Sequence, residues 1–281
     1  LKLIELQANL SRIADAEKII FVHGKRNKKS ELQKLYEAIE EASTRLLKYK
    51  EHFKLMGTDR NSYSKTDIEA TFMRMKDDHM QNGQLKPAYN VQIAVENYFI
   101  IHTYISNDRT DYNTLIPVLE KHKKYLKKFP QEVTADSGYS SEANLVYLKN
   151  NNIDSYIKLQ MHEKMKTRAY KNDPGKFYNM EKIITENGVH FICKDGRKLQ
   201  YERSEYRNHN GYRSNFEVYA CKDCSGCEFK PHCLYKYNEE KDIHKNKVMK
   251  INLLWETLKT ESNNNVQSEK GILYRQIRSI Q

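Results

Sequence analysis

Apolar residues near the start of the chain recur three and four positions apart, the spacing of one buried stripe along a helix. The stripe comprises Leu32, Leu35, Ile39, Ala42, Leu46, Tyr49 and Phe53. Ser30 and Gln33 fit a capping box at the start of this helix, and Gly57 favours its end. A second apolar segment, Leu3–Ile20, predicts a partner helix. Residues 1–57 are therefore predicted to form a helical hairpin.

The pattern changes to alternation after residue 90. Val91, Ile93 and Val95 alternate with smaller or polar residues, and the apolar segment Phe99–Ile105 follows. Alternation with a period of two predicts strands, so the two segments predict a β-hairpin that turns at Glu96–Asn97. Residues 58–88 are polar and predict an irregular connection with little core of its own.

The segments after the hairpin alternate between helix and strand. They are a helix at Asp111–Phe129, a strand at Glu132–Thr134, a helix at Glu142–Lys149 and a strand at Ile153–Leu159. Pro130 ends the first of these helices. The order predicts a mixed α/β core over residues 58–160.

Asp136 follows the predicted strand Glu132–Thr134 directly, and Gly138 breaks that strand. Ser140 or Ser141 then caps the next helix. Open α/β sheets place their chemistry outside the carboxyl ends of their strands, so this position suits a catalytic carboxylate. Asp is also common in turns, so a purely local role as a turn or capping residue is the alternative.

The bulk composition points to a polyanionic partner. The chain has 281 residues, a formal charge of +11 and a pI near 9.2. Nucleic acid is the favoured partner, with an anionic membrane surface as the alternative. The sequence has no apolar stretch near the roughly 20 residues that a membrane span needs. Five cysteines without a secretory signal indicate a reducing, cytoplasmic setting.

The cysteines lie in a polar, basic segment, residues 161–247, which is predicted to be an insertion without a core of its own. Cys221, Cys224, Cys227 and Cys233 are spaced as C-x2-C-x2-C-x5-C, and Cys193 lies upstream. Four of these five thiols suit a structural zinc ion that would hold the insertion together. An iron–sulfur cluster and a set of free thiols are the alternatives. Residues 248–258 and 268–281 predict helices that return to the core.

Arginines and tyrosines interleave near the cysteines. They are Tyr201, Arg203, Tyr206, Arg207, Tyr212 and Arg213. Such mixing suits phosphate contacts with base or sugar stacking, and it equally suits a small β-rich module with tyrosines packed on its strands. The basic run Lys121–Lys128 is typical of a solvated helix face.

Several motifs together resemble the DDE transposases of bacterial insertion sequences. They are Thr-Ala-Asp-Ser-Gly-Tyr-Ser-Ser at 134–141, Gly-Gln-Leu-Lys-Pro-Ala-Tyr-Asn-Val-Gln-Ile-Ala-Val at 83–95, Thr-Asp-Ile-Glu-Ala-Thr-Phe-Met-Arg-Met-Lys at 66–76, and the late cysteine segment. The resemblance covers nearly the whole chain. It implies an RNase H-like mixed sheet with flanking helices, which acts as a homo-oligomer on the double-stranded DNA of transposon ends.

The resemblance also implies three carboxylates that bind two Mg²⁺ ions, which cleave and join DNA phosphodiesters. Asp136 aligns with the second acid. The first Asp is expected upstream of Leu1 and the last Glu just past Gln281, so the chain is expected to be a fragment without strand-transfer activity of its own. Asp67 or Glu69 is an alternative first acid. The competing functions are a zinc-stabilised DNA-binding protein without catalysis, an inactive transposase remnant, and a nuclease of the same fold.

Overall fold

The computed structural model describes residues 2–24, 26–58, 60–75, 78, 80–186, 188–209 and 211–280. Helices and strands are interspersed along this part of the chain, so the fold is mixed α/β. Two compact units are present: the first comprises residues 1–90 and 107–109, and the second comprises residues 91–106 and 110–281. Within the described ranges, no helix combines the length and the apolarity that a membrane span requires.

The α-helices of the described residues follow in chain order. They are α1 (Lys2–Ala16), α2 (Glu31–Met56), α3 (Leu115–Leu126), α4 (Glu142–Asn150), α5 (His162–Lys166), α6 (Arg168–Lys171), α7 (Lys230–Cys233), α8 (Glu239–Asp242), α9 (Leu253–Gln267) and α10 (Glu269–Ile280). The strands are β1 (Thr71–Arg74), β2 (Leu85–Ala88), β3 (Asn90–Glu96), β4 (Phe99–Ser106), β5 (Glu132–Ala135), β6 (Asp154–Ile157), β7 (Glu181–Thr185), β8 (Gly188–Ile192), β9 (Lys198–His209), β10 (Tyr212–Cys221) and β11 (Val248–Ile251).

In the first unit, α1 and α2 pack together as a helical hairpin. One half of the predicted capping box of α2 is present, since Ser30 Oγ accepts a hydrogen bond from the Gln33 amide at 3.2 Å, and Gly57 ends the helix with φ of 73°. The Gln33 side chain, which would complete the box, bonds elsewhere. The buried Gln33 side chain bonds the main chain of Val22, taking its N–H at 2.9 Å and donating to its carbonyl at 2.7 Å. Gln33 therefore fastens the segment between the two helices to α2.

The prediction of an irregular connection over residues 58–88 was wrong in part. β1 and β2 form an antiparallel pair, with Phe72 opposite Pro87. Each strand has only four residues, and β2 contains a lysine and a proline, so neither strand carries the apolar alternation by which strands are recognised.

The second unit contains the predicted hairpin and the predicted succession of strand, helix and strand. β3 and β4 turn at Asn97 and Tyr98, both with positive φ, one residue later than expected. β5 and β6 pair in parallel, with α4 between them in sequence. A shared apolar core packs α3, α4 and α9 around β6. Its buried residues are Leu115, Leu119, Leu145, Leu148, Ile153, Ile157 and Leu258.

The segment that holds the cysteines folds as a five-stranded antiparallel sheet in the order β11-β10-β9-β8-β7. The expectation that it lacks a core was wrong, because it buries Met180, Phe191, Leu199, Tyr219, Cys221, Cys224, Met249 and Ile251. The helix expected at residues 248–258 was also wrong at its start: β11 pairs with β10 first, and α9 begins after it. β11 is Val-Met-Lys-Ile, in which burial alternates although polarity does not, so the sequence gives no strand signal there.

The last two helices dock on the parallel pair through polar contacts to its main chain. From α9, Ser262 Oγ donates to the Ile157 carbonyl at 2.7 Å, and Asn265 Nδ2 donates to the Ser155 carbonyl at 3.2 Å. These bonds satisfy carbonyls of β6 that would otherwise be left at a strand edge. α10 confirms the predicted helix over residues 268–281 as far as Ile280; Gln281 lies outside the described residues.

Candidate active site

Asp136 lies where the sequence predicted it, directly after the carboxyl end of β5. Its main chain is extended, with φ of −68° and ψ of 161°, and its carbonyl accepts a hydrogen bond from the Tyr139 amide at 3.1 Å. Ser141 Oγ then caps α4 by accepting from the Asn144 amide at 3.2 Å. The loop that carries Asp136 is therefore fixed by a turn on one side and a helix cap on the other.

A buried asparagine holds this loop through hydrogen bonds to main-chain carbonyls. Asn144 has no exposed surface, and its Nδ2 donates to the carbonyls of Tyr139 at 2.9 Å and Tyr112 at 3.0 Å. Hydrogen bonds from a buried side chain to main-chain carbonyls fix a loop because breaking them leaves buried polar groups unsatisfied. Asn144 thereby ties the loop after Asp136 to the short turn that precedes α3.

A second carboxylate faces the same loop. A Cβ atom added at Gly138 would lie 2.8 Å from Asp111 Oδ2, so the glycine lets the loop approach that side chain closely. Gln92 Nε2 donates to Asp111 Oδ1 at 3.0 Å. Burial raises the pKa of Tyr139 to about 12, aided by the negative charges of Asp111 and Asp136. Asp111 was not singled out from the sequence because it lies at the start of a predicted helix, where Asp is ordinary.

Arg278 on α10 binds the Asp136 carboxylate. Arg278 Nη1 lies 2.6 Å from Asp136 Oδ1, while 63% of the aspartate side chain and 42% of the arginine side chain remain exposed. The carboxylate therefore faces solvent and carries a single cationic side chain on one oxygen. A site with this exposure is open to an ion or a substrate.

The same face of α10 contacts the start of β5. Lys270 and Tyr274 both bind the Glu132 carboxylate. These hydrogen bonds, first that of Lys270 and then that of Tyr274, hold the pKa of Glu132 below its usual value. Residues 270, 274 and 278 are four positions apart and share one face of the helix. α10 therefore runs along β5 from its first residue to the carboxylate at its end.

Glu142, in the first turn of α4, joins three segments of the second unit. Its Oε2 accepts from Ser214 Oγ at 2.6 Å and from Asn252 Nδ2 at 2.8 Å, and its Oε1 accepts from Tyr212 Oη at 3.2 Å. Asn252 is itself the cap of α9. The start of β10 and the start of α9 are thereby fixed to the helix that follows Asp136. Sequence reasoning assigned Glu142 only to a helix, since its partners lie about 70 and 110 residues away.

The alternative first acids lie in the first unit, whereas Asp136 lies in the second. The Asp67 carboxylate accepts hydrogen bonds from Tyr89 Oη at 2.9 and 3.0 Å and from the Glu69 amide at 3.2 Å. The Asp67 side chain thus has a local structural role within that unit. Across the described residues, no group of three or more His, Cys, Asp and Glu side chains is placed to hold a metal ion.

All five cysteines line one small cavity of about 20 Å³, so the sequence was right to group them. Their lining partners include Arg197, Lys230 and Lys247. Burial raises the pKa of the Cys221 thiol to about 11, with neighbouring Cys224 and Cys193 adding to the shift. The two lysines bind carbonyl oxygens: Lys230 donates to Ile243 and Lys247 donates to Cys233 at 2.8 Å. The thiols converge, but no three of them adopt a coordinating arrangement.

Comparison with known proteins finds a similarity over the C-terminal part of the chain. Residues 192–281 match the family model described as transposase DDE domain. The matched segment extends from the last residue of β8 through β9, β10, α7, α8, β11, α9 and α10, and it includes Arg278 and all five cysteines. No curated protein and no solved structure matches the chain. Over residues 192–281, this chain is similar to the DDE domain of transposases.

Proposed function

We propose that this chain forms the RNase H-like catalytic core of an insertion-sequence transposase and that Asp136 is one of its metal-binding carboxylates. The observation that carries the proposal is the contact between Arg278 and Asp136. Arg278 belongs to the segment that matches the transposase DDE domain, and it binds a carboxylate that stands directly after the end of a parallel strand. The matched helix and the candidate acid therefore meet at one place.

The reaction would be cleavage and joining of DNA phosphodiesters. Bound Mg²⁺ would supply activation of the attacking oxygen and stabilisation of the leaving one. The Asp136 carboxylate suits this ion because Mg²⁺ prefers oxygen ligands. Asp136 would act as an anionic ligand and carry no proton. Arg278 would hold the carboxylate in place until an ion takes over that oxygen.

DNA is the partner that fits the charge of the chain. A formal charge of +11 favours a polyanion, and the phosphate backbone supplies most of the sequence-independent affinity of such proteins. We propose double-stranded DNA of transposon ends as the substrate, bound by a homo-oligomer. The five-stranded sheet that holds the cysteines would be an insertion in the catalytic domain, and Glu142 binds it to α4.

Manganese binding tests the role of Asp136. Mn²⁺ replaces Mg²⁺ at oxygen sites and broadens the NMR signals of nearby nuclei. In the wild-type chain we expect selective broadening around residues 134–141, and we expect Asp136→Asn to abolish it. The matched control is Asp154→Asn, an exposed aspartate at the start of β6, the opposite end of the parallel pair. Broadening that survives in Asp136→Asn, or that Asp154→Asn removes equally, contradicts the proposal.

We also propose that four of the five cysteines bind a structural zinc ion. The support is their shared cavity and the affinity of thiolates for Zn²⁺. Because no three thiols are in a coordinating arrangement, binding requires the side chains to turn toward the cavity and lose their protons. Metal analysis of protein purified under reducing conditions should give one zinc per chain. Substoichiometric zinc with five freely alkylated thiols contradicts this assignment.

A further inference from the structure

The hairpin of β9 and β10 is the longest strand pair of the described residues, and its two faces differ. The strands pair from Tyr212 opposite His209 to Cys221 opposite Leu199. The sequence Asn-Gly at 210–211 favours a tight turn, and Gly211 has φ of 79°. Because side chains alternate along a strand, Tyr212 and Ser214 point to one face and Arg213 to the other.

One face is attached to α4. Tyr212 and Ser214 both bind the Glu142 carboxylate. On the same face, the Arg207 guanidinium lies over the Phe216 ring, 5.0 Å from its centroid. These contacts place the attached face against the helix that begins six residues after Asp136.

The opposite face is exposed and carries hydrogen-bonding side chains. Its four residues, here called the ribbon face, are Tyr206, Asn208, Arg213 and Asn215. They form two cross-strand pairs, Asn208 with Arg213 and Tyr206 with Asn215. The Arg213 guanidinium stacks on the Tyr206 ring, 3.7 Å from its centroid, and 57% of Tyr206 is exposed. Stacking on the ring orients the guanidinium without neutralising its charge.

Arg203 and Tyr201, farther from the turn, have internal partners, which favours the β-rich module for these two residues. Arg203 pairs with Glu202 at 2.8 Å and with Glu205 at 2.6 Å. Tyr201 bonds Ser204 and packs on the buried Tyr219 ring. These residues belong to the β-rich module. The end of the hairpin presents an arginine, a tyrosine and two amides, and the next carboxylate on this face, Glu217, accepts a hydrogen bond from Tyr219 Oη at 2.6 Å.

We infer that the ribbon face contacts the edges of DNA bases in the major groove. The major groove admits a two-stranded β-ribbon, and β-ribbon readers are a known class. Arg pairs with guanine and Asn with adenine through two hydrogen bonds each, so the four residues form a reading surface. An anionic membrane surface would favour clustered lysines, whereas this face holds two amides and a single guanidinium.

This inference rests on the proposed DNA partner and specifies the surface that selects the sequence. Glu142 fixes the attached face to α4, so DNA on the ribbon face is held at a set position relative to Asp136. Recognition of a base sequence and delivery of a phosphodiester to the carboxylate are thereby coupled through one glutamate. Phosphate contacts elsewhere on the basic surface add affinity without discrimination.

Selection from a random duplex pool tests the ribbon face. The wild-type chain is used to enrich a binding sequence, and affinity for the enriched duplex and for a scrambled duplex of equal length is then measured by fluorescence anisotropy. We expect the double variant Asn208→Ala/Arg213→Ala to lose roughly tenfold or more of the preference, since each two-bond contact contributes discrimination of that order. Arg203→Ala, an arginine of the same hairpin with two carboxylate partners, should keep the preference.

Thermal melting is recorded for each variant, and Asn215→Ala provides a second single change on the ribbon face. If the double variant unfolds, Asn215→Ala must lower the preference by itself. An unchanged preference in the folded double variant overturns the ribbon inference and leaves the proposed DNA partner standing. A wild-type chain that enriches no duplex overturns both the DNA partner and the inference.

Discussion

Arg278 reaches Asp136 because α10 runs alongside β5 with a matching length. Glu132 and Asp136 are four residues apart on an extended chain, a distance of about 13 Å. Lys270 and Arg278 are eight residues apart on a helix, a distance of about 12 Å. The two cations therefore meet the two carboxylates at either end of the strand. Because of this spacing, α10 contacts both ends of β5 through ion pairs.

Removing the arginine should strengthen metal binding at Asp136. The Arg278→Ala variant leaves the carboxylate without its competing cation, so we expect it to bind Mn²⁺ more tightly than the wild-type chain. The cost to stability should be small, about 0–1 kcal/mol, because exposed ion pairs contribute little. Calorimetric titration and thermal melting measure the two effects. Weaker Mn²⁺ binding in Arg278→Ala would show that the arginine belongs to the metal site and does not compete with it.

The junction of α9 and α10 depends on a glycine. A Cβ atom at Gly271 would lie 2.1 Å from the Asn265 carbonyl oxygen and 2.9 Å from Val266 Cα. These are main-chain atoms, which cannot avoid the new methyl group by a change of rotamer. Gly271→Ala should therefore push α9 and α10 apart and lower the free energy of unfolding by roughly 1–3 kcal/mol. The matched control is Gln276→Ala, an exposed change in the same helix. Urea unfolding tests this expectation, and equal midpoints for the two variants contradict it.

Stability should fall as the solution becomes acidic, in part through His162. Burial, followed by the charges of Lys166 and Lys158, holds the pKa of this histidine below its ordinary value. The unfolded chain therefore takes up a proton more readily than the folded one. The contribution is fully present above about pH 6.5 and is lost as the pH falls toward the folded pKa.

Urea unfolding between pH 5 and pH 8 measures this dependence. The His162→Gln variant, which keeps a polar group near Asn263 Oδ1, should show a smaller decline below pH 6.5 than the wild-type chain. Part of the slope should remain in the variant because the pKa of His122 is also lowered by burial. A urea midpoint of the wild-type chain that rises as the pH falls would contradict this expectation.

Periodicity accounts for the parts of the fold that the sequence revealed. The helical hairpin, the β3–β4 hairpin and the succession of β5, α4 and β6 each carry apolar residues at a regular spacing, and that spacing identifies a helix or a strand even where much of the apolar surface is exposed, as on α2 and β3. Ser30 and Ser141 were recognised as caps because their role depends only on residues three positions away. Asp136 was recognised because a strand end followed by a turn is also a local signal.

The missed features depend on contacts between distant segments. β1, β2 and β11 are four-residue strands whose identity comes from their partners. The core of the sheet that holds the cysteines is assembled from β8, β9, β10, β11 and adjoining segments, with Met180 and Ile251 about 70 residues apart in sequence. Asp111 lies close to Gly138, which is 27 residues away in sequence. Glu142 accepts hydrogen bonds from Tyr212 and Ser214, which are about 70 residues away.

Localised radical cleavage tests the central claim, that Asp136 binds a metal ion beside bound DNA. Fe²⁺ replaces Mg²⁺ and, with peroxide and ascorbate, generates hydroxyl radicals that cut DNA near the ion. The chain on its enriched duplex should produce cuts confined to a few adjacent nucleotides. Asp136→Asn should abolish this focus, and Asp154→Asn should retain it. A focused pattern of equal strength in Asp136→Asn would contradict the account.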